Sequence, residues 1–124
     1  MFTAVEIISK IESRQLTALE VTHACLDAID ATDSKIMAWE YINREAAIER
    51  ARKLDAHQFK DRRIGRLHGV PIGIKDIIDT ANIPTACGSP ILSDRIPENS
   101  ARIVQLLEAC LLYTSDAADD SLRV

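Results

Sequence analysis

The sequence has no apolar run long enough to cross a bilayer, no basic leader followed by an apolar core, and no basic cluster larger than the Arg62-Arg63 pair. The first two absences give no reason to expect a membrane span or a secretory leader, so a cytoplasmic protein is the expectation. The third, with a formal net charge of −4, excludes an extended phosphate-binding surface, and nucleic acid is not an expected direct partner. Cysteine is scarce as well. Cys25, Cys87 and Cys110 are odd in number, widely spaced and without a C-x-x-C pair, which fits structural thiols in a reducing compartment better than a disulfide framework. His23, His57 and His68 are equally scattered, so no metal-ligand constellation is visible. What remains is an ordinary globular composition, 47% hydrophobic and 27% charged over 124 residues, enough for one domain with a modest core.

Helix starts are signposted first. Thr3-Ala4-Val5-Glu6 and Thr17-Ala18-Leu19-Glu20 both fit the capping box, in which the Thr hydroxyl accepts from a main-chain N–H and the Glu reaches back to the N–H of the cap. The spacing predicts a first helix ending near Ser13 with Val5, Ile8 and Ile11 as its apolar stripe, and a second carrying Val21, Cys25, Leu26 and Ile29. Thr32-Asp33-Ser34 reads as a loop, and Ile36 to Ile42 as a short aromatic and β-branched strand. Asn43 can cap a third helix with Ala47, Ala51 and Leu54 on one face and mixed charges elsewhere. The polar stretch Gln58 to Arg63 has no period and reads as a surface loop.

The chain is organised around Gly69-Val70-Pro71-Ile72-Gly73-Ile74-Lys75-Asp76, a strand-like run with one lysine at its end. In a strand, Val70, Ile72 and Ile74 share one face, and Lys75 shares the other with Pro71 and Gly73. Gly73 has no side chain and admits the close approach of a second segment, which would enclose the ammonium group. Enclosure disfavours the charged form of a lysine, and a neutral amine can take a proton from a nucleophile. The alternative from spacing alone is that Lys75 marks a buried strand emerging into solvent.

Beyond the lysine, Pro84, Gly88 and Pro90 argue for irregular backbone held down by Ile77, Ile78 and Ile83. Ser89 is the nearest serine in sequence, yet Gly-Ser is favoured in turns for conformational reasons alone. Ser100 can cap a fourth helix through Ala101, Ile103, Val104, Leu106, Leu107 and Ala109. The order is βα, but a parallel βαβ unit needs a return strand, and only Leu111-Leu112-Tyr113 precedes a polar tail. An unpaired strand edge invites association, so further chain or a partner is the expectation, homo-oligomerisation included.

Gly65-Arg66-Leu67-His68-Gly69-Val70-Pro71-Ile72-Gly73-Ile74-Lys75-Asp76, with Pro84-Thr85 and Gly88-Ser89-Pro90 after it, resembles the N-terminal part of the amidase signature family. The two Thr-capped helices, the Ala38-Trp39-Glu40 strand and the Ala-rich third helix are similar in order and spacing to the opening segment of that family. The resemblance runs from about Val5 to Ala109. It implies the N-terminal part of an amidase-signature α/β fold, helices packed on an incomplete mixed sheet, with residues 1–109 as a portion of an amidase domain. It also implies that Lys75 is the lysine of a Ser–cis-Ser–Lys triad that hydrolyses small carboxamides through an acyl-enzyme, with no cofactor or metal required.

Both family serines would lie in a Gly/Ser-rich segment downstream, which the chain ends before reaching. From Cys110 to Val124 the sequence departs from the family, and this tail is similar to translated sequencing-adapter sequence, so residues 110–124 are expected to be a disordered or artefactual addition. Asn99-Ser100 is a smaller departure, at a place where the family usually has Asp-Ala. Three readings are compatible with these residues. The first is a truncated amidase that is inactive by itself, its Lys75 to Thr80 wording closer to free-standing amidases. The second is a piece of the A subunit of a glutamyl/aspartyl-tRNA amidotransferase, for which partner-dependent glutaminase activity would speak. The third is a non-catalytic α/β interaction module, which would fold cooperatively as a monodisperse assembly.

Overall fold

Thr3 and Thr17 each accept a hydrogen bond from the N–H three residues on, Glu6 at 3.3 Å and Glu20 at 3.1 Å. In return the Glu6 carboxylate accepts the Thr3 N–H at 2.7 Å, and that of Glu20 accepts the Thr17 N–H at 2.8 Å. Both capping boxes therefore form, and the helices they open are α1 (Ala4–Glu12) and α2 (Ala18–Ile36). Bonding to Thr3, its main chain first, holds the Glu6 carboxyl below the ordinary carboxylate range. This is a computed structural model, and it describes residues 2–58 and 65–111. The predicted loop at Gln58–Arg63 lies outside those residues except for Gln58, which is helical, and so does the expected tail 110–124 except for Cys110 and Leu111, which are helical too.

Of the predicted α1 stripe, Ile11 is buried as expected, but its partner is Ile7 and not Val5 or Ile8. Ile7 and Ile11 are buried, whereas Val5 is 76% exposed and Ile8 only half-buried. The short helix meets its neighbour on the face of the (i, i+4) pair Ile7 and Ile11, which with Val21 forms one apolar cluster, Leu16 and Val70 packing against it. Along α2, Val21 and Leu26 are buried as expected, joined by Ala18 and Thr22. The expected loop at Thr32–Ser34 is instead the last turn of α2. Thr32 Oγ1 donates to the Ala28 carbonyl at 2.7 Å, and the Asp33 carboxylate accepts the Ala38 N–H at 2.8 Å beyond the end. Residues that compete for main-chain bonds are here satisfied inside the helix and its cap, and Met37 terminates it in the left-handed conformation, φ +51°.

Asn43 Oδ1 accepts the Ala46 N–H at 3.1 Å and opens α3 (Arg44–Gln58). Ala51 and Leu54 on α3 join Ala18 in a second apolar cluster, so α2 and α3 pack together. One polar contact fixes their register. The buried Asp55 carboxylate accepts the N–H groups of Ala18 at 2.7 Å and Leu19 at 3.0 Å, satisfying two of the first amides of α2 from the other helix. Arg44 pairs with Asp30 on the outer surface.

After a single turn of 3₁₀ helix, Pro90–Leu92, the chain ends its described part in α4 (Arg102–Leu111). Ser100 does not cap it. Its hydroxyl instead accepts the Ala81 N–H at 3.0 Å, and the first helical bonds close on the carbonyl of Ala101. Neither predicted strand is present among the described residues: Ile36 ends α2, and residues 37–43 and 70–75 are irregular. A strand exists by pairing, and these two segments meet through a side chain rather than through backbones. The Trp39 ring lies over Gly73, its Cη2 2.8 Å from where a Cβ would stand.

Candidate active site

The lysine segment is seated by its first residue. Gly69 has φ +73° in the turn Leu67–Val70, and a Cβ there would lie 2.5 Å from Ile11 Cδ1 and 3.0 Å from Ala18 Cβ. Only a residue without a side chain lets the backbone lie this close to the junction of α1 and α2. Val70 then packs on the Ile7–Ile11–Val21 cluster, whereas Ile72 is 41% exposed. The close approach expected at Gly73 is supplied by the Trp39 ring, not by a second backbone. It does not enclose Lys75, whose side chain is exposed and makes no ion pair among the described residues.

Downstream residues fix the main chain around the lysine. The Lys75 carbonyl accepts the Ile78 N–H at 2.9 Å, closing a turn directly after the side chain. Asp76 grips the 86–88 loop: its carboxylate accepts the N–H groups of Ala86 at 2.8 Å and Gly88 at 3.1 Å, and its carbonyl accepts that of Cys87 at 3.1 Å. Cys87 and Gly88 both have positive φ, +55° and +65°, in the turn that brings the Ala86 and Gly88 amides to the Asp76 carboxylate and the Cys87 amide to its main-chain carbonyl.

A second staple holds the same segment three residues further on. The Arg95 guanidinium donates to both Asp79 oxygens at 2.6 Å, a bidentate pair, and holds the Asp79 carboxyl below the ordinary carboxylate range. The Asp79 carbonyl accepts the Ala101 N–H at 2.8 Å at the start of α4. The Thr85 N–H meets the Arg95 carbonyl at 2.9 Å, and the Asn82 N–H meets that of Pro97 at 2.9 Å. Lys75 thus projects from a loop cross-braced to α4.

Sequence reasoning singled out the lysine but assigned no role to Asp76, Asp79 or Arg95. The two carboxylates at i and i+3 after a lysine are visible in the sequence, but their partners lie 10 to 16 residues away and follow no period. Ser89 is a turn residue here. Its N–H donates to the Ala86 carbonyl at 2.9 Å, its carbonyl accepts the Leu92 N–H, and its side chain makes no cap bond. Cys25 is half-buried, and Cys87 and Cys110 are exposed and free. Among the described residues no group of three His, Cys, Asp or Glu side chains is placed to hold a metal ion, and no helix is long and apolar enough to cross a membrane.

Comparison with known proteins gives concordant results. The family profile described as Amidase matches residues 20–110. The chain is 43% identical over 107 residues to the A subunit of the glutamyl-tRNA(Gln) amidotransferase of Streptomyces avermitilis, covering 86% of this chain and 21% of that protein. The corresponding A subunit from Carboxydothermus hydrogenoformans is 39% identical over 113 residues, with 90% and 23% covered. The chain therefore spans about a fifth of the length of these relatives. Among solved structures, one reported as a vestigial protein complex that reveals the origins of an s-triazine catabolic enzyme has a TM-score of 0.85 at 29% identity, over 90% of this chain and 24% of that one. A bacterial aryl acylamidase of the amidase signature family has a TM-score of 0.82 at 23% identity over 90% and 24%, a likeness of fold.

Proposed function

This chain belongs to the amidase family, and from that premise we propose that it carries the lysine of a carboxamide-hydrolysing site whose serines lie outside these 124 residues. Lys75 Nζ, as the free amine, takes a proton relayed through a bridging serine as the nucleophilic serine attacks the amide carbon. The same relay returns the proton to the departing amine, and water then releases the acyl group. Main-chain N–H groups stabilise the oxyanion. The remainder of the amidase domain supplies the sheet against which residues 37–43 and 70–75 pair, and it encloses the lysine that stands exposed here. No step needs a metal.

The observation that carries this reading is the braced loop that presents Lys75. Its main chain is tied at the turn to Ile78 and by Asp76 to three consecutive amides, as a proton carrier that must meet a fixed hydroxyl requires. Turnover of simple carboxamides by the full-length gene product tests it. Wild type is expected to be active, Lys75→Ala inactive, and the 124-residue chain inactive alone. Hydrolysis by the isolated chain, or by the Lys75→Ala protein at the wild-type rate, would refute it.

A narrower second reading is favoured by the 43% identity to amidotransferase A subunits. In it the amide is that of glutamine, and the ammonia passes to a misacylated tRNA bound by partner subunits. Glutaminase activity of the full-length product that rises on adding such partners supports this reading. Partner-independent hydrolysis of unrelated amides favours the free-standing amidase.

A further inference from the structure

Lys75 has an exposed side chain on a backbone tied down by hydrogen bonds, several of them made by its neighbour Asp76. The Asp76 carboxylate accepts the N–H groups of Ala86 and Gly88, and its main-chain carbonyl accepts the N–H of Cys87, so three consecutive amides converge on one residue. Before Lys75 the chain is held where the Trp39 ring covers Gly73, and after it by the turn from Lys75 to Ile78. Asp76 is only half-buried and Lys75 exposed, so the apolar core contributes little to their placement. Asp76 touches no reacting atom in the proposed scheme.

We propose that Asp76 is the positioning residue for Lys75, its grip on the amides of 86–88 setting where the lysine amine meets the serine relay. The inference rests on the reading of Lys75 as the proton carrier. A charged acceptor is needed because two N–H donors point at two separate oxygens. An asparagine keeps one acceptor and turns an NH₂ group against the other donor. The loop then loosens and the amine samples positions that do not transfer the proton. Misplacement of a catalytic group by about 1 Å costs on the order of a hundredfold in rate.

The test uses the full-length gene product and three variants, Lys75→Ala, Asp76→Asn and Asp76→Glu, with kcat and KM measured per folded molecule. Amide exchange at residues 86–88 is followed in parallel. Asp76→Asn is expected to lower kcat about a hundredfold with KM within about twofold, and to speed exchange at Ala86 and Gly88, whose amides the carboxylate accepts. Asp76→Glu, which keeps both acceptor oxygens and the charge, recovers part of the loss. Wild-type kcat in folded Asp76→Asn, while Lys75→Ala is dead, overturns the positioning role and leaves the lysine reading intact. Activity retained by Lys75→Ala overturns both. Should Asp76→Asn fail to accumulate, the wild-type exchange decides: protected amides at Ala86 and Gly88 support the proposal, and exchange at the unprotected rate overturns it.

Discussion

Replacing Gly69 by alanine perturbs the point where the lysine segment sits on the helices, and Gly88→Ala is its natural control. Both glycines have nearly the same backbone angle, φ +73° and +65°, so both substitutions incur the left-handed penalty of an L residue, about 1–2 kcal/mol. They differ in surroundings. A Cβ at Gly88 meets nothing within 4 Å, whereas one at Gly69 falls 2.5 Å from Ile11 Cδ1 and 3.0 Å from Ala18 Cβ. Ile11 and Ala18 are both 0% exposed, so neither can yield into solvent, and overpacking at such a site adds about 1–3 kcal/mol. The expected cost is therefore about 2–5 kcal/mol at Gly69 against about 1–2 at Gly88. Position-resolved amide exchange separates them. Gly69→Ala speeds exchange across α1 and the first turns of α2 by about thirtyfold or more, and Gly88→Ala speeds it only around residues 86–88. Equal and local effects of both would refute the packing of Gly69 onto the α1–α2 junction.

Four further outcomes are expected from the contacts described. Asp55→Ala strips the bonding partner from two α2 amides, one of them on the fully buried Ala18, and is expected to cost about 1–3 kcal/mol in denaturant unfolding; a neutral result would exclude the inter-helix cap. Thr17→Ala removes one capping box and is expected to cost about 1 kcal/mol, read as fraying of the first turn of α2 by circular dichroism and amide exchange. Trp39 is the sole tryptophan, so Gly73→Ala, whose Cβ meets the ring, should red-shift the emission; an unmoved spectrum means the ring does not cover Gly73. Hydrogen bonds from Arg95 depress the Asp79 carboxyl in the folded state, so the staple contributes above the unfolded aspartate value and is lost as pH falls through the lower folded value. Protection of the Ala101 amide should follow that acid transition, and salt should weaken it because the pair is partly exposed.

Local chemistry was legible in the sequence, and non-local chemistry was not. The boxes at Thr3 and Thr17 and the cap at Asn43 each bond to an amide three residues away, so spacing alone exposes them. The small residue at Gly73 signalled a close approach, though not that an indole would make it. Thr32 and Asp33 misled because their side chains can leave a helix or stay in it, and the bonds to the Ala28 carbonyl and the Ala38 amide decide for staying. Ser100 misled likewise, since its hydroxyl goes to Ala81 across the loop. The strand expectations rested on composition, which says that residues suit a sheet and not that a neighbour pairs with them. At the candidate site the lysine came from a motif. The partners of Asp76 and Asp79 became visible only when the chain had folded back on itself.

The central claim is that Lys75 moves the proton on which acyl transfer depends. Intact-mass measurement of the full-length gene product during turnover of a slow carboxamide tests it at the step concerned. An added acyl mass is expected on the wild-type protein and none on the Lys75→Ala protein within the same reaction time. An acyl adduct that forms on both at the same rate would contradict that claim.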